Sequence, residues 1–184
     1  MRITALAFAA ALVAFVSSAE AFASPPVIDG QFALDTLDGR SVTKADYRGK
    51  WLLVYFGYTS CPDVCPATLT ELGEALKELG PAAKRVQALF VTVDPVRDTV
   101  PVLRRYLKAF DPRIAGLRGD GDATEAAAKS FHVYYRARSI GNGQYAIDHS
   151  SYIYVFNPKG RFVQLLAPDS PGHRIADDVK KLVR

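Results

Sequence analysis

Two cysteines, and only two, occur in this chain of 184 residues, and both lie in Gly57-Tyr58-Thr59-Ser60-Cys61-Pro62-Asp63-Val64-Cys65-Pro66. Thiols with three residues between them form a site rather than a staple for the fold, because a stabilising disulfide gains most from closing a long loop. Pro66 suits the first position of a helix. Cys61 and Cys65 therefore stand at or just before a helix N-terminus, where free N–H groups and the helix dipole favour thiolates and lower their pKa. The spacing puts both sulfurs on one side of a helical turn, and it also permits a small Cys61–Cys65 disulfide. Such a pair suits disulfide exchange and a soft metal ion equally.

Further donors decide between metal and redox chemistry. The histidines are His132, His149 and His173, and the sole methionine is Met1. A Met-rich copper carrier and a blue-copper site with an axial Met are excluded, and a zinc ribbon would need more cysteines. The best soft-metal set is two thiolates and one imidazole. By position alone His149, in Ile147-Asp148-His149-Ser150-Ser151, reads first as an ordinary surface histidine, although a loop-to-strand edge can turn a side chain into a site. His132 follows Phe131 at a helix end, and His173 begins the last helix as a solvated residue. In Val93-Asp94-Pro95-Val96-Arg97-Asp98-Thr99, Asp98-Thr99 reads as a turn and helix cap. Asp94, at the C-terminal end of a strand, is a candidate acceptor or outer partner of the thiols.

The elements that position these residues are legible as patterns. Trp51 to Phe56 is a continuous apolar run, a strand buried on both faces. Leu69, Leu72, Leu76 and Leu79 give a helix from Pro66 to Leu79, stopped by Gly80-Pro81. Val86 to Val93 is a second buried strand. Asp98 or Thr99 can cap a helix to about Phe110, and Asp122 with Glu125 resembles a capping box for a helix through Phe131. Phe32 to Leu37 and Arg40 to Val42 form a hairpin around Asp38-Gly39, and Gly141-Asn142-Gly143 is a turn. Ser151 to Phe156 and Arg161 to Leu166 form a second hairpin, and Arg174 to Val183 a final helix. This alternation predicts an α/β fold with a mixed central sheet flanked by helices.

Residues 1–23 read as a signal peptide: Arg2, an apolar run from Ile3 to Val16, and small residues ending at Ala23. The alternative is an uncleaved membrane anchor, against which the run is short, since a span takes about 20 residues. Residues 24–184 then form one exported domain, and an oxidising compartment favours pairing of the thiols. The apolar fraction of 49% fits a globular chain. A net charge of +4, spread among acidic residues, does not suggest nucleic-acid binding.

Together these segments resemble the Sco/SenC family of copper-binding, thioredoxin-like proteins. The likeness is carried by Tyr55 to Pro66, by Val93 to Thr99 and by Asp148-His149-Ser150 in that order. Ala109-Phe110-Asp111-Pro112, Phe131 to Tyr135 and Ile153 to Gly160 support it. The resemblance implies a three-layer thioredoxin-like fold with an added N-terminal hairpin and a hairpin before the closing helix. It implies Cys61, Cys65 and His149 as ligands of Cu(I) or Cu(II), which reverses the reading of His149 from position. Asp94 or water would be an extra ligand for Cu(II). The implied function is a metallochaperone in assembly of the CuA site of cytochrome c oxidase. Implied partners are the oxidase subunit carrying CuA, a copper donor protein and a thiol reductant. The implied location is the periplasm, free or tethered to the outer face of the inner membrane. The chain departs from the family in its short, cleavable N-terminal segment and at Val100-Pro101. The competing expectation is a thiol-disulfide reductase with Cys61 and Cys65 as its redox pair. A peroxidase, suggested by Thr59 two residues before Cys61, lacks any residue singled out as the activating arginine.

Overall fold

The seven residues of β3 (Trp51–Gly57) are all buried, as a strand covered on both faces requires. The computed structural model describes residues 28–183, so the signal-peptide reading lies outside the described residues. Around β3 the chain builds one seven-stranded mixed sheet. A hairpin of β1 (Ala33–Thr36) and β2 (Ser41–Thr43) precedes it, as the sequence predicts. After β3 come α1 (Val64–Glu78), β4 (Val86–Thr92), α2 (Val100–Leu107), β5 (Ile114–Arg118) and α3 (Gly121–Phe131). The chain ends with β6 (Tyr135–Gly141), β7 (Gln144–His149), β8 (Ile153–Phe156), β9 (Phe162–Leu166) and α4 (Gly172–Val183).

The strand order is β2-β1-β5-β4-β3-β8-β9. β3, β4 and β5 run parallel, whereas β8 pairs antiparallel with β3 and β9 with β8. A βαβ unit followed by an antiparallel hairpin and a helix is the thioredoxin-like plan that the resemblance implies, and β1, β2 and β5 extend it. The register separates the two faces. Phe56, Tyr154 and Phe156 face α3, where Phe131 meets them at ring-centroid distances of 4.9, 5.3 and 5.4 Å. Tyr55 and Phe90, paired across β3 and β4, face the other way, and Phe90 lies 5.9 Å from Tyr106 of α2. α1 and α4 lie on that second face. Glu71 of α1 accepts a hydrogen bond from the backbone N–H of Gly172, placing an anion at the start of α4.

Several boundaries differ from the periodicity for physical reasons. α1 begins at Val64, so Cys65 already lies within its first turn; apolar spacing starts only where the helix reaches the core. α2 ends at Leu107 rather than Phe110. α3 is capped by Asp120, whose carboxylate accepts from the N–H of Ala123, and not by Asp122. α4 begins at Gly172, two residues before Arg174. β5 is too short and too glycine-interrupted to signal itself. β6 and β7 form a separate two-stranded ladder whose mostly exposed residues give no apolar alternation. Their turn is legible, because Asn142 and Gly143 have φ of 52° and 70° and join the strands by two residues, as a type I′ hairpin demands.

Candidate metal centre

The strand delivers the first thiol to a loop that a buried carboxylate holds in place. Asp98 is fully buried and accepts three hydrogen bonds: from the N–H of Thr59 (3.0 Å), from Thr59 Oγ1 (2.6 Å) and from Thr92 Oγ1 (2.6 Å). Burial raises its pKa, and the three donors act against that rise. Asp98 is thus an anchor for the cysteine loop, and the reading of it as a helix cap is corrected; Thr99 occupies the N-cap position of α2, without a side-chain hydrogen bond. The loop then turns through Cys61, whose N–H donates to Tyr58 O at 3.2 Å.

α1 brings the second sulfur back beneath the end of β3. The N–H of Cys65, one of the unpaired donors of a helix start, donates to Cys61 Sγ at 3.5 Å. A Cβ on Gly57 would meet Cys65 Sγ and the Phe90 ring at 2.9 Å each, so only glycine lets this sulfur sit against the strand. Cys65 is fully buried, Cys61 only half so, and both are free thiols. Their acidities split accordingly. The Cys65 side chain, followed by the N–H groups of Cys65 and Asp63, holds Cys61 down to about 4 despite burial. Donation to Cys61, together with burial, pushes Cys65 up. The pair therefore carries one thiolate, on the exposed sulfur, and one shared proton. Beside it the buried Tyr55 hydroxyl has no hydrogen-bond partner, and burial raises its pKa.

His149, the last residue of β7, approaches from the far side of the chain. Its Nδ1 lies 2.9 Å from Ser150 O. A carbonyl accepts only, so in the neutral ring Nδ1 carries the proton and Nε2 presents a lone pair. That nitrogen is 3.5 Å from Cys65 Sγ. The donor atoms of Cys61, Cys65 and His149 all lie within 4.8 Å of one another. Metal–sulfur and metal–nitrogen bonds of about 2.3 and 2.0 Å would separate S and N by roughly 3.5–3.7 Å around a shared ion. The cluster is already near the size of a small-ion site, and two thiolates with an imidazole are a soft donor set.

Asp94 is not part of that group. It is 3% exposed and accepts from Arg97 Nε and from Tyr145 Oη, the latter at 2.9 Å. His132 is exposed at the C-cap of α3, with φ of 56°, and His173 is exposed in the first turn of α4; the structure brings neither to the thiols. Tyr58 and Arg97 are site residues that sequence reasoning passed over. The Tyr58 ring meets the His149 ring edge-on, with centroids 5.7 Å apart and planes at 82°. Its Oη accepts from the N–H of Ile147 at 3.3 Å. Both residues lie inside the quoted motifs, but nothing in their spacing indicates that they face β7.

The SCO1/SenC family model matches residues 20–184. Among curated relatives, "Protein SCO2 homolog, mitochondrial" of Bos taurus is 40% identical over 165 residues, covering 88% of this chain and 62% of the relative. "Protein SCO1, mitochondrial" of Saccharomyces cerevisiae is 39% identical over 144 residues, covering 77% and 49%. The chain therefore spans less than two thirds of the length of these relatives. Among solved structures, Bradyrhizobium japonicum ScoI with copper bound superposes with a TM-score of 0.77 at 39% identity, covering 83% of this chain and 97% of that one. Yeast Sco1 with copper bound gives a TM-score of 0.79 at 36% identity, covering 86% and 89%.

Proposed function

The chain belongs to the SCO1/SenC family, and on that footing we propose that it is a copper metallochaperone acting in assembly of the CuA site of cytochrome c oxidase. Cys61, Cys65 and His149 are the proposed ligands. The observation that carries this reading is the convergence of two sulfurs and an imidazole nitrogen, from distant segments, within 4.8 Å. Cu(I) is soft and takes thiolates with imidazole as third donor. Binding needs both sulfurs deprotonated, so loading releases the proton that the pair shares. Loss of two electrons and the one shared proton joins Cys61 to Cys65 as a disulfide and removes both sulfur donors at once. Metal loading is therefore gated by the redox state of the pair. The oxidase subunit that carries CuA receives the copper, another protein donates it, and a thiol reductant restores the dithiol. The domain works in the periplasm after export, free or held at the outer face of the inner membrane by residues 1–23.

One observation favours a second role for the same pair. Cys61 is a half-exposed thiolate and Cys65 a buried thiol, the arrangement of an attacking and a resolving cysteine. Cys61 would attack a partner's disulfide and release one thiolate. Cys65 would then displace the second, leaving the Cys61–Cys65 disulfide and a reduced partner. His149 separates the two readings, since the exchange reaction does not use it. We expect the reduced protein to bind one Cu(I) per chain, the oxidised protein none, and His149→Ala to bind much more weakly. Unchanged affinity in His149→Ala would remove the three-ligand reading and leave the reductase.

A further inference from the structure

The imidazole and the sulfurs belong to parts of the molecule that no backbone ladder joins. The thiols follow β3 of the main sheet into α1, whereas among the described residues β7 pairs only with β6. Apart from the contact between Cys65 and His149, and bonds from His149 to the adjoining Ser150 and Ser151, the hydrogen bonds from the β6–β7 hairpin to the rest of the described chain run through Tyr58, Asp94 and Arg97. Arg97 is the centre of this set. Its Nε donates to Asp94, its Nη1 donates to Tyr145 O at 2.7 Å, and its guanidinium carbon lies over the Tyr145 ring, 3.7 Å from the centroid. The same guanidinium carbon lies 5.7 Å from the centroid of the Tyr58 ring, the ring that meets His149 edge-on. Asp94 completes the closure by accepting from Tyr145 Oη.

We propose that the Asp94–Arg97 pair is the positioning device for His149, locking β7 onto the strand-end loops so that Nε2 stands at the thiols before copper arrives. This rests on reading Cys61, Cys65 and His149 as the copper donors. The chemistry requires arginine. A planar fork can hold a carboxylate on one edge, a carbonyl on another and an aromatic ring on its face together, whereas an ammonium is a point charge and cannot. Asp94 orients the fork and neutralises it, which a buried site demands. Groups that orient ligands from behind commonly govern metal affinity by about 10–100-fold, and that is the effect expected here.

The test is a competition titration of the reduced protein with a Cu(I) chelator of known affinity, on the parent chain, Arg97→Ala, Arg97→Lys, His149→Ala and the Arg97→Ala/His149→Ala double variant. Arg97→Ala should weaken binding about 10–100-fold, and Arg97→Lys should fall between it and the parent. In the His149→Ala background the same change should add less than about 2-fold, because the residue through which it acts is gone. Equal losses in both backgrounds, or no loss in either, overturn the proposal. A second readout needs no metal. The nuclear Overhauser contact between the Tyr58 and His149 rings should be present in the copper-free parent, weakened in Arg97→Lys and absent from Arg97→Ala; its persistence in Arg97→Ala overturns the proposal even if copper proves not to be the cargo. If His149→Ala instead binds copper as the parent does while that contact is lost on Arg97 substitution, the three-ligand reading falls and the positioning of His149 stands.

Discussion

Alkylation of the reduced protein by iodoacetamide, followed residue by residue across pH 5–9, reads the asymmetry of the dithiol directly. Cys61 is held at about 4, against 9.0 for an ordinary thiol. At pH 6 it is almost wholly thiolate, whereas the ordinary thiol is ionised to about one part in a thousand, a roughly 1000-fold advantage. Lower basicity also weakens the nucleophile. With a Brønsted coefficient of about 0.4–0.5, the same difference in basicity costs roughly 100–300-fold in intrinsic rate. The net result at pH 6 is alkylation about 3–10-fold faster than a reference thiol, and at pH 9 about 100-fold slower. The two rate curves cross near pH 7, at roughly 6.5–7. Partial burial of Cys61 lowers its curve without changing the shape, so the flat profile is the signature. Cys65, fully buried and pushed up, should remain unmodified throughout. Mass spectrometry of the digested protein assigns each label. A rate step between pH 8 and 9, or label on Cys65 at a rate comparable with Cys61, would refute the proposed division of roles between the two sulfurs.

Asp98→Ala leaves the Thr59 and Thr92 donors without their acceptor; a loss of about 2–4 kcal/mol in urea unfolding should accompany faster amide exchange in the cysteine loop. Gly57→Ala forces a methyl group against Cys65 Sγ and the Phe90 ring; it should cost about 1–3 kcal/mol and displace Cys65, seen as a changed alkylation profile of Cys61. Phe131→Ala empties the centre of the aromatic cluster on the α3 face. The expected loss is about 3–5 kcal/mol, measured as a lower denaturation midpoint with the slope unchanged.

The sheet core was legible because β3 and β4 are apolar runs bounded by turn residues, and α1 because its leucines repeat on one face. The site was legible in part. Cys61 and Cys65 announce themselves by number and spacing, but His149 owes its place to a tertiary contact across 84 residues, and only the family resemblance distinguished it. Asp98 was misread because its type and position match a helix cap; a cap and a buried loop anchor differ only in where the side chain points. Arg97 and Tyr58 were missed for the same reason, since what they touch lies in β7, a strand with no apolar alternation to reveal it. β5 was missed because three apolar residues around a glycine fit a loop as well as a strand.

The distance along the chain between the donors has a consequence for biogenesis. Cys61 and Cys65 lie within one turn and come together almost without topology, whereas the imidazole arrives only when a loop of more than eighty residues has closed. Closure of such long loops is the slow, entropically opposed part of folding. A chain emerging unfolded offers two sulfurs, and the third donor appears with the completed tertiary structure. The site thus acts as its own proof of folding: chain captured before β7 docks should hold Cu(I) no better than His149→Ala does, and full affinity should appear in refolding only with the last phase of tertiary structure, as stopped-flow capture by the chelator would record.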